Sequence, residues 1–485
     1  MIMAIITAFS LLAVGYICLF IFKNYCPRLA EQLYQKWGFD IGLFQWKWTF
    51  SARGRWITNI ATTRRCKNFY KYGTFFSCLL ILPGLLFLAA NLLKISLLLY
   101  NSMITDAKDP NLQTISTDEL VFQPVIPGVT LPLADVGIYA TSLLVCTIFH
   151  EFGHALAADC QDVKLLGYGL FVIFVIPAAF VDLSTAELSS LAPSDQLKVY
   201  TAGVWHNIAL SSIAYGLILS YPYLLLPSYH HLEGVLVADL KWNSTVTGPS
   251  GLEIGNILTS VNDCPIKSAK DFHFCLQNRD KVGYCFDTQQ LDQLQCTHCC
   301  VQNNSSYLNF KSSNNVQGQE EFCLHVRTAI NSSAGFCQSN CVATHQQCVF
   351  PQLLFPHESL WHIKRKDQGE EDKRDFLFIG YPSDLYAGIT AMSDFVPKYP
   401  ILPLTLPIIL EKLLYYTCSF SLALGLINIV PCTMLDGQYV AKTIGRIFWQ
   451  SEHQSVECFS KYLIWIGTTL ILSNLGLTFF AMKFM

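Results

Sequence analysis

The sequence predicts a polytopic α-helical membrane protein with about six transmembrane helices, one re-entrant segment and an α+β insertion. Hydrophobic residues make up 52% of its 485 residues and charged residues only 14%, whereas a soluble domain carries roughly 25% charged residues. Apolar runs long enough to cross a bilayer recur along the chain, and one hydrophilic stretch holds ten of the 19 cysteines. The formal net charge of -3 gives no basis for a nucleic-acid partner.

The predicted spans are apolar runs of about 20 residues, the length that crosses a bilayer core. They are Ile2–Phe22, Phe75–Leu99, Val136–Phe149, Ala202–Leu226, Leu402–Val430 and Tyr462–Phe480. The first is predicted to be a retained anchor, because no small-residue cleavage site follows it. The run Leu165–Val181 is shorter and is interrupted by glycines and Pro177, so it predicts a segment that enters the membrane and returns.

The hydrophilic insertion, residues 228–400, is predicted to be lumenal. Its clustered cysteines are Cys264, Cys275, Cys285, Cys296, Cys299, Cys300, Cys323, Cys337, Cys341 and Cys348. Its N-glycosylation sequons lie at Asn243, Asn303, Asn304 and Asn331. Together they favour an oxidising compartment. A zinc knuckle at residues 296–300 is a second reading, ranked below disulfides, and the cysteine pairing cannot be read from the sequence.

Parity across the predicted spans then assigns sides to the rest of the chain. The basic stretch from residue 23 to 71 is cytosolic by the positive-inside rule, and the helix that ends at residues 150–154 reaches the cytosolic side. The chain is therefore predicted to have four parts. Residues 1–134 hold the N-terminal helices and a basic loop, residues 135–227 and 401–485 are the two halves of a membrane core, and residues 228–400 are the lumenal insertion between them.

The segment His150-Glu151-Phe152-Gly153-His154 is an H-E-x-x-H motif at the end of a predicted span. Positions i and i+4 share a helix face, so both imidazoles can reach one ion. A catalytic zinc takes three protein ligands and a water, and Glu151 is placed to accept a proton from that water. Two histidines and a glutamate are also costly to bury in a membrane. The motif therefore predicts a catalytic metal site.

The third ligand remains open among three carboxylates. The long zincin signature is excluded because Ala157 and Cys160 stand where it needs Gly and His. Asp182 and Glu187 follow the motif at a distance that suits a carboxylate ligand. Asp436 begins an Asp-Gly pair, a common turn, but the predicted topology puts it on the same side of the membrane as the motif. It is slightly favoured.

The chain resembles the site-2 protease family of intramembrane metalloproteases. The resemblance rests on the H-E-x-x-H motif at residues 150–154 and on N-x-x-P-x-x-x-L-D-G at residues 428–437 in a later span. A lumenal domain separates the two motifs, and Gly203-Val204-Trp205-His206-Asn207 begins the intervening span. The resemblance covers most of residues 135–440.

The resemblance implies that His150, His154 and Asp436 bind one catalytic Zn²⁺ and that Glu151 is the catalytic glutamate. It implies that Asn207 orients substrate, although a helix–helix hydrogen bond is an equal reading. It further implies that the segment from 165 to 181 is strand-like, and His206 is interpreted as structural.

Residues 252–263 also resemble the PDZ pattern of a Gly, a strand and a Val-Asn-Gly-like turn, with Asp263 in place of the second Gly. The insertion is therefore expected to hold a PDZ-like part followed by a Cys-rich part. A peptide-binding domain and a filter against bulky substrates are equal readings.

The family resemblance implies single-pass, membrane-tethered transcription factors as substrates, after a first lumenal cut by another protease. Sterol regulatory element-binding proteins and the stress factor of the endoplasmic reticulum are the expected clients, and the Golgi is the expected location. Two other readings are a prenyl-protein-type membrane zinc protease and a non-catalytic metal-binding receptor or transporter. The first needs a later glutamate ligand, which the run Tyr462–Phe480 lacks; the second is disfavoured by the presence of Glu151.

Overall fold

The computed structural model describes residues 2–42, 45–51, 64–106, 132–173, 176–248, 251–277, 282–296, 299–300, 306–312, 321–341, 343, 345–355, 357–366, 375–449 and 453–481. The chain divides into two compact units. The first unit joins Met1–Leu219 to Lys412–Met485, and the second is Ser220–Glu411.

Within the described residues the α-helices are, in chain order, α1 Ile2–Tyr25, α2 Pro27–Trp37, α3 Arg64–Leu79, α4 Ile81–Asp106, α5 Val136–Cys160, α6 Thr185–Ser190, α7 Pro193–Tyr200, α8 Ala202–Leu225, α9 Ala269–Gln277, α10 Thr288–Leu294, α11 Val326–Ser332, α12 Pro382–Gly388, α13 Leu406–Ile429, α14 Asp436–Phe448 and α15 His453–Ala481. A 3₁₀ turn, Leu133–Asp135, leads into α5.

The strands are β1 Phe39–Gly42, β2 Gln45–Ser51, β3 Leu165–Ile173, β4 Ile176–Leu183, β5 Tyr229–Leu240, β6 Ile257–Val261, β7 Cys264–Pro265, β8 Gly283–Asp287, β9 Tyr307–Ser312, β10 Glu321–His325, β11 Gly335–Cys337, β12 Gln346–Pro351, β13 Ser359–Lys366, β14 Phe376–Gly380 and β15 Ile389–Pro397.

Five helical segments of the described chain are long and apolar enough to cross a membrane. They are Arg64–Asn101, Leu133–Cys160, Ala202–Leu225, Leu406–Ile429 and Gln454–Ala481. The sixth predicted span, Ile2–Phe22, lies in α1, whose side chains are described only from Val14 onwards; there Val14–Tyr25 forms a shorter apolar helix. The chain is thus a multi-pass membrane protein.

Polar side-chain pairs, one buried and one half-buried, join helical segments of the first unit. Asn91 on α4 donates a hydrogen bond of 2.8 Å to the side-chain oxygen of Asn474 on α15, and Asn474 donates one of 3.0 Å to the Leu88 carbonyl. Lys412 on α13 bonds both carboxylate oxygens of Asp135 at 2.9 Å. Such bonds hold apolar helices together, since hydrophobic burial gives little preference between helix and lipid.

A four-stranded antiparallel sheet in the order β1-β2-β3-β4 belongs to the first unit. The predicted re-entrant run, Leu165–Val181, is the hairpin of β3 and β4 in this sheet. Strand β2 pairs with β3 from Gln45 opposite Ile173 to Ser51 opposite Gly167. The sequence predicts a basic loop between the first two spans, and the structure differs. The polar–apolar alternation from Gln45 to Ser51 forms β2, which pairs with β1 on one side and with β3, more than 100 residues away, on the other.

The second unit contains two sheets. The six-stranded sheet runs in the order β14-β13-β6-β5-β15, with β7 on β6, and combines strands from both ends of the insertion. The five-stranded sheet, β10-β9-β12-β8-β11, comes from the middle. The predicted turn after β6 is present, and Asn262 takes the left-handed backbone conformation there, with φ of 51°.

All ten cysteines of the insertion form disulfides. The pairs are Cys264–Cys275, Cys285–Cys341, Cys296–Cys299, Cys300–Cys323 and Cys337–Cys348. Disulfides therefore account for residues 296–300, as the sequence analysis favoured. The other nine cysteines all lie in the first unit and form no disulfide in the described structure.

Candidate metal centre

The two histidines of the motif lie one turn apart on α5 and face the same side. Helix α5 is continuous from Val136 to Cys160, so the predicted i, i+4 geometry is realised. The Nε2 atoms of His150 and His154 are 3.2 Å apart, and both residues are buried.

The third group at this point is Asp436, the first residue of α14. Its Oδ2 lies 2.9 Å from Nε2 of His150 and 3.1 Å from Nε2 of His154. A tight chain path brings it there: a Cβ at Gly437 would lie 2.1 Å from the Val430 carbonyl oxygen, so only glycine fits after Asp436. His150, His154 and Asp436 form a group that could hold a metal ion.

The other ring nitrogens of the two histidines also have partners. Nδ1 of His154 lies 2.8 Å from the Val199 carbonyl oxygen, so this nitrogen carries the hydrogen and the lone pair is on Nε2. Nδ1 of His150 lies 3.1 Å from the side-chain nitrogen of Asn207 on α8. Partners of this kind fix the ring orientation of metal-binding histidines.

Asn207 is also tied to α13. The Ser421 hydroxyl donates a hydrogen bond of 2.9 Å to the Asn207 backbone oxygen and lies 3.4 Å from its side-chain oxygen. Both residues are fully buried. Of the two readings left open for Asn207, the structure displays the interhelical hydrogen bond, together with a contact to His150.

Gly203 is a residue whose role the sequence analysis missed. It occupies the first turn of α8, and a Cβ added there would lie 2.4 Å from Nε2 of His154 and 2.5 Å from Nε2 of His150. A side chain at this position would collide with the Nε2 atoms of both histidines. The signal in the sequence was its place in Gly203-Val204-Trp205-His206-Asn207, the segment at the start of a span on which the family resemblance partly rests.

The alternative carboxylates do not join this group. Asp182 is exposed on β4. Glu187 forms a 2.7 Å hydrogen bond with the backbone N–H of Lys164 and an ion pair with its ammonium. The bond from the Lys164 N–H lowers the pKa of the Glu187 carboxyl. His206 is buried, with Nδ1 3.1 Å from the Ala202 carbonyl oxygen and its ring stacked on Tyr70, which fits a structural role.

Two of the predicted sequon residues are described, and both are exposed. Asn243 lies in a turn and Asn331 near the end of α11. Asn303 and Asn304 lie outside the described residues. Exposure is what a glycan acceptor requires.

The donor set fits a zinc ion. Two imidazole nitrogens and a carboxylate oxygen are the protein ligands of a common catalytic zinc site, which keeps its fourth position for water or substrate. The three atoms lie 2.9 to 3.2 Å from one another. Three lone-pair donors at that spacing repel unless a cation or a proton lies between them.

A membrane helix bundle with an H-E-x-x-H helix, completed by an aspartate after a later span, defines a membrane metalloprotease. Residues 138–473 match peptidase family M50, so the chain belongs to this family of zinc metalloproteases. It is similar to an Arabidopsis thaliana protein described as a membrane-bound transcription factor site-2 protease homolog. The identity is 22% over 393 residues, which cover 70% of this chain and 76% of the relative. No solved structure matches the chain. The resemblance drawn from the two motifs is thereby confirmed.

Proposed function

We propose that the chain is an intramembrane zinc metalloendopeptidase in which His150, His154 and Asp436 bind the ion and Glu151 is the catalytic base. The observation that carries this proposal is the convergence of Nε2 of both histidines and Oδ2 of Asp436 within 3.2 Å, from two segments almost 300 residues apart. Membership in a family of membrane metalloproteases supports it.

Zinc bound by these residues would polarise the scissile carbonyl and lower the pKa of a water to about 7. Glu151 takes a proton from the attacking water, whose oxygen adds to the carbonyl carbon. The same carboxyl then gives that proton to the amine nitrogen as the C–N bond breaks. The hydrogen bond between His154 and Val199, and the contact between His150 and Asn207, hold the rings with Nε2 directed at the site.

The substrate is a transmembrane segment that must unwind locally. In an α-helix the peptide carbonyls are engaged in i to i−4 hydrogen bonds and are screened by side chains. Unpaired backbone groups are costly within a bilayer unless they line a water-filled cavity or pack on protein. Substrates with helix-breaking residues near the cut should therefore be preferred.

The clients we propose are single-pass, membrane-tethered transcription factors that a first lumenal cut has already trimmed. Sterol regulatory element-binding proteins and the endoplasmic-reticulum stress factor belong to this class, and cleavage releases their cytosolic domains. Similarity to the Arabidopsis protein described as a membrane-bound transcription factor site-2 protease homolog supports this choice. We place the enzyme in the secretory pathway, in the Golgi, with the site near the cytosolic side.

The second unit would then be the lumenal part of the enzyme. Its five disulfides and the exposed Asn243 and Asn331 support an oxidising, glycosylating compartment. Its six-stranded sheet is the candidate PDZ-like part. We propose that this unit binds the trimmed lumenal end of a substrate or rejects substrates with bulky lumenal domains.

The test is cleavage of a membrane-tethered reporter in cells that lack the endogenous activity. The intact chain is compared with Glu151→Gln and Asp436→Ala, and with Asp182→Asn and Glu187→Gln as carboxylate controls. We expect the intact chain and both controls to release the cytosolic fragment, and the first two variants to release none at equal expression. Glu151→Gln should retain zinc, whereas Asp436→Ala should lose it.

Two outcomes contradict parts of the proposal. Cleavage by Glu151→Gln at the level of the intact chain would show that the motif is not catalytic. Loss of cleavage in Glu151→Gln and in one carboxylate control, with Asp436→Ala fully active, would move the third ligand to Asp182 or Glu187.

A further inference from the structure

An apolar cavity of about 280 Å³ lies against Glu151 in the first unit. One wall is a single face of α5, formed by Ile148, Glu151, Phe152 and Ala155 at the spacing i, i+3, i+4, i+7. Strands β2, β3 and β4 form the remaining walls. The residue that we propose as the catalytic base therefore lines this cavity.

The chemistry of the wall is almost wholly apolar. The rings of Phe50, Phe152, Tyr168 and Phe180 line it, and Glu151 and Tyr168 supply the only polar side chains among its described lining residues. The volume lies just below the range of about 300–1,000 Å³ that encloses a whole small ligand. A space of this size and polarity suits one large apolar side chain.

Phe50 reaches this wall from the N-terminal part of the chain. It lies on β2, directly opposite Tyr168 on β3, and the two rings stack with centroids 5.7 Å apart. The segment that matches the protease family begins only at residue 138. One side of the cavity thus comes from a strand outside the matched segment.

We propose that this cavity is the subsite for the substrate side chain next to the scissile bond, and that Phe50 limits the size of that side chain. The inference rests on the proposed function, because it takes Glu151 to lie at the reacting peptide. A large aliphatic or aromatic residue is the preferred occupant. A substrate segment inside a membrane consists mainly of such residues, so the cavity selects among them by volume.

The experiment compares the cleavage of four single-pass reporters. They differ only at the residue next to the mapped cut, where they carry Ala, Leu, Phe or Trp. The protein variants are Phe50→Ala, which enlarges the cavity, and Ala179→Leu, which narrows it from β4. Phe39→Ala is the matched control, because it makes the same truncation in the β1–β2 hairpin and Phe39 is not among the lining residues.

For Phe50→Ala we expect kcat/KM for the Trp reporter, relative to the Leu reporter, to rise about 10-fold. For Ala179→Leu we expect kcat/KM for the Ala reporter, relative to the Leu reporter, to rise about 10-fold. Phe39→Ala should keep the preference of the intact chain. If Phe50→Ala does not fold, Ala179→Leu decides alone. Unchanged preference in the folded variants overturns the inference, as does an equal shift in Phe39→Ala.

A lipid acyl chain is the other possible occupant. If a lipid fills the cavity, the variants keep the residue preference of the intact chain. The ratio of cleavage rates in vesicles of 14-carbon and of 18-carbon lipids would then change in Ala179→Leu but not in Phe39→Ala. This result overturns the inference. Failure of the proposed function looks different, because the intact chain would then cleave none of the reporters.

Discussion

The side-chain nitrogen of Asn207 lies 3.1 Å from Nδ1 of His150, so α8 directly supports a histidine of α5. A histidine that binds metal through Nε2 carries its hydrogen on Nδ1. Asn207 must then present Oδ1 to that hydrogen, by a half-turn of its amide. The amide nitrogen then faces the Ser421 hydroxyl, which donates its own hydrogen to the Asn207 backbone and is free to accept.

This arrangement predicts that Asn207 sets zinc affinity through His150. Asn207→Leu removes the acceptor, and we expect zinc affinity to fall about 10–100-fold. Asn207→Asp keeps an acceptor for the Nδ1 hydrogen and should stay within a few-fold of the intact chain. Chelator competition measures the zinc affinity of both variants, and the absorption spectrum of the Co²⁺-substituted proteins reports on the coordination of the metal. Equal weakening in the two variants would contradict a role in hydrogen bonding.

Gly203 should not tolerate a methyl group, because the methyl would collide with two of the proposed zinc ligands. The Cβ of Gly203→Ala would lie within 2.5 Å of Nε2 of both histidines, so we expect zinc affinity to fall by about 100-fold or more and cleavage to be lost. Gly216→Ala is the matched control on the same helix, where a Cβ meets no described atom within 4 Å. Zinc content of the purified proteins is the measurement, and normal zinc in Gly203→Ala would refute the prediction.

The Asn91–Asn474 pair should couple α4 to α15 energetically. A double-mutant cycle with Asn91→Ala and Asn474→Ala is expected to give a coupling energy of about 0.6–2 kcal/mol, the range for hydrogen bonds between membrane helices. Unfolding in mixed micelles provides the free energies. Ser96→Ala is the control, because within the described part of the chain its hydroxyl bonds the Leu92 carbonyl of its own helix and no other helix. Strict additivity would mean that the two amides act independently.

The cysteines should divide sharply between the two units. Non-reducing digestion and mass spectrometry are expected to recover the five cross-links of the second unit, with separations from 3 residues for Cys296–Cys299 to 56 for Cys285–Cys341. The nine cysteines of the first unit should react with a maleimide after unfolding without reductant. Alkylation of the insertion cysteines under those conditions would contradict the pairing and the proposed oxidising compartment.

Much of this organisation is determined by the sequence alone. Apolar runs identify the long helices because a bilayer core demands about 20 such residues. The spacing of His150 and His154 fixes their common face, since a helix repeats every 3.6 residues. The ten clustered cysteines of the insertion, which the sequence favours as disulfides, form five pairs.

Other features depend on chain segments that meet only in three dimensions. Residue types and spacing left Asp182 and Glu187 open beside a slightly favoured Asp436, and only the fold brings Asp436 to within 3.1 Å of both histidines. The strand that holds Phe50 alternates polar and apolar residues from Gln45 to Ser51, but its partner β3 lies more than 100 residues further along the chain, so only the fold shows where Phe50 packs. Local sequence therefore determined the helices and the motif, because their rules act over a few residues; the third group of the site and the wall of the cavity required tertiary contacts between distant segments.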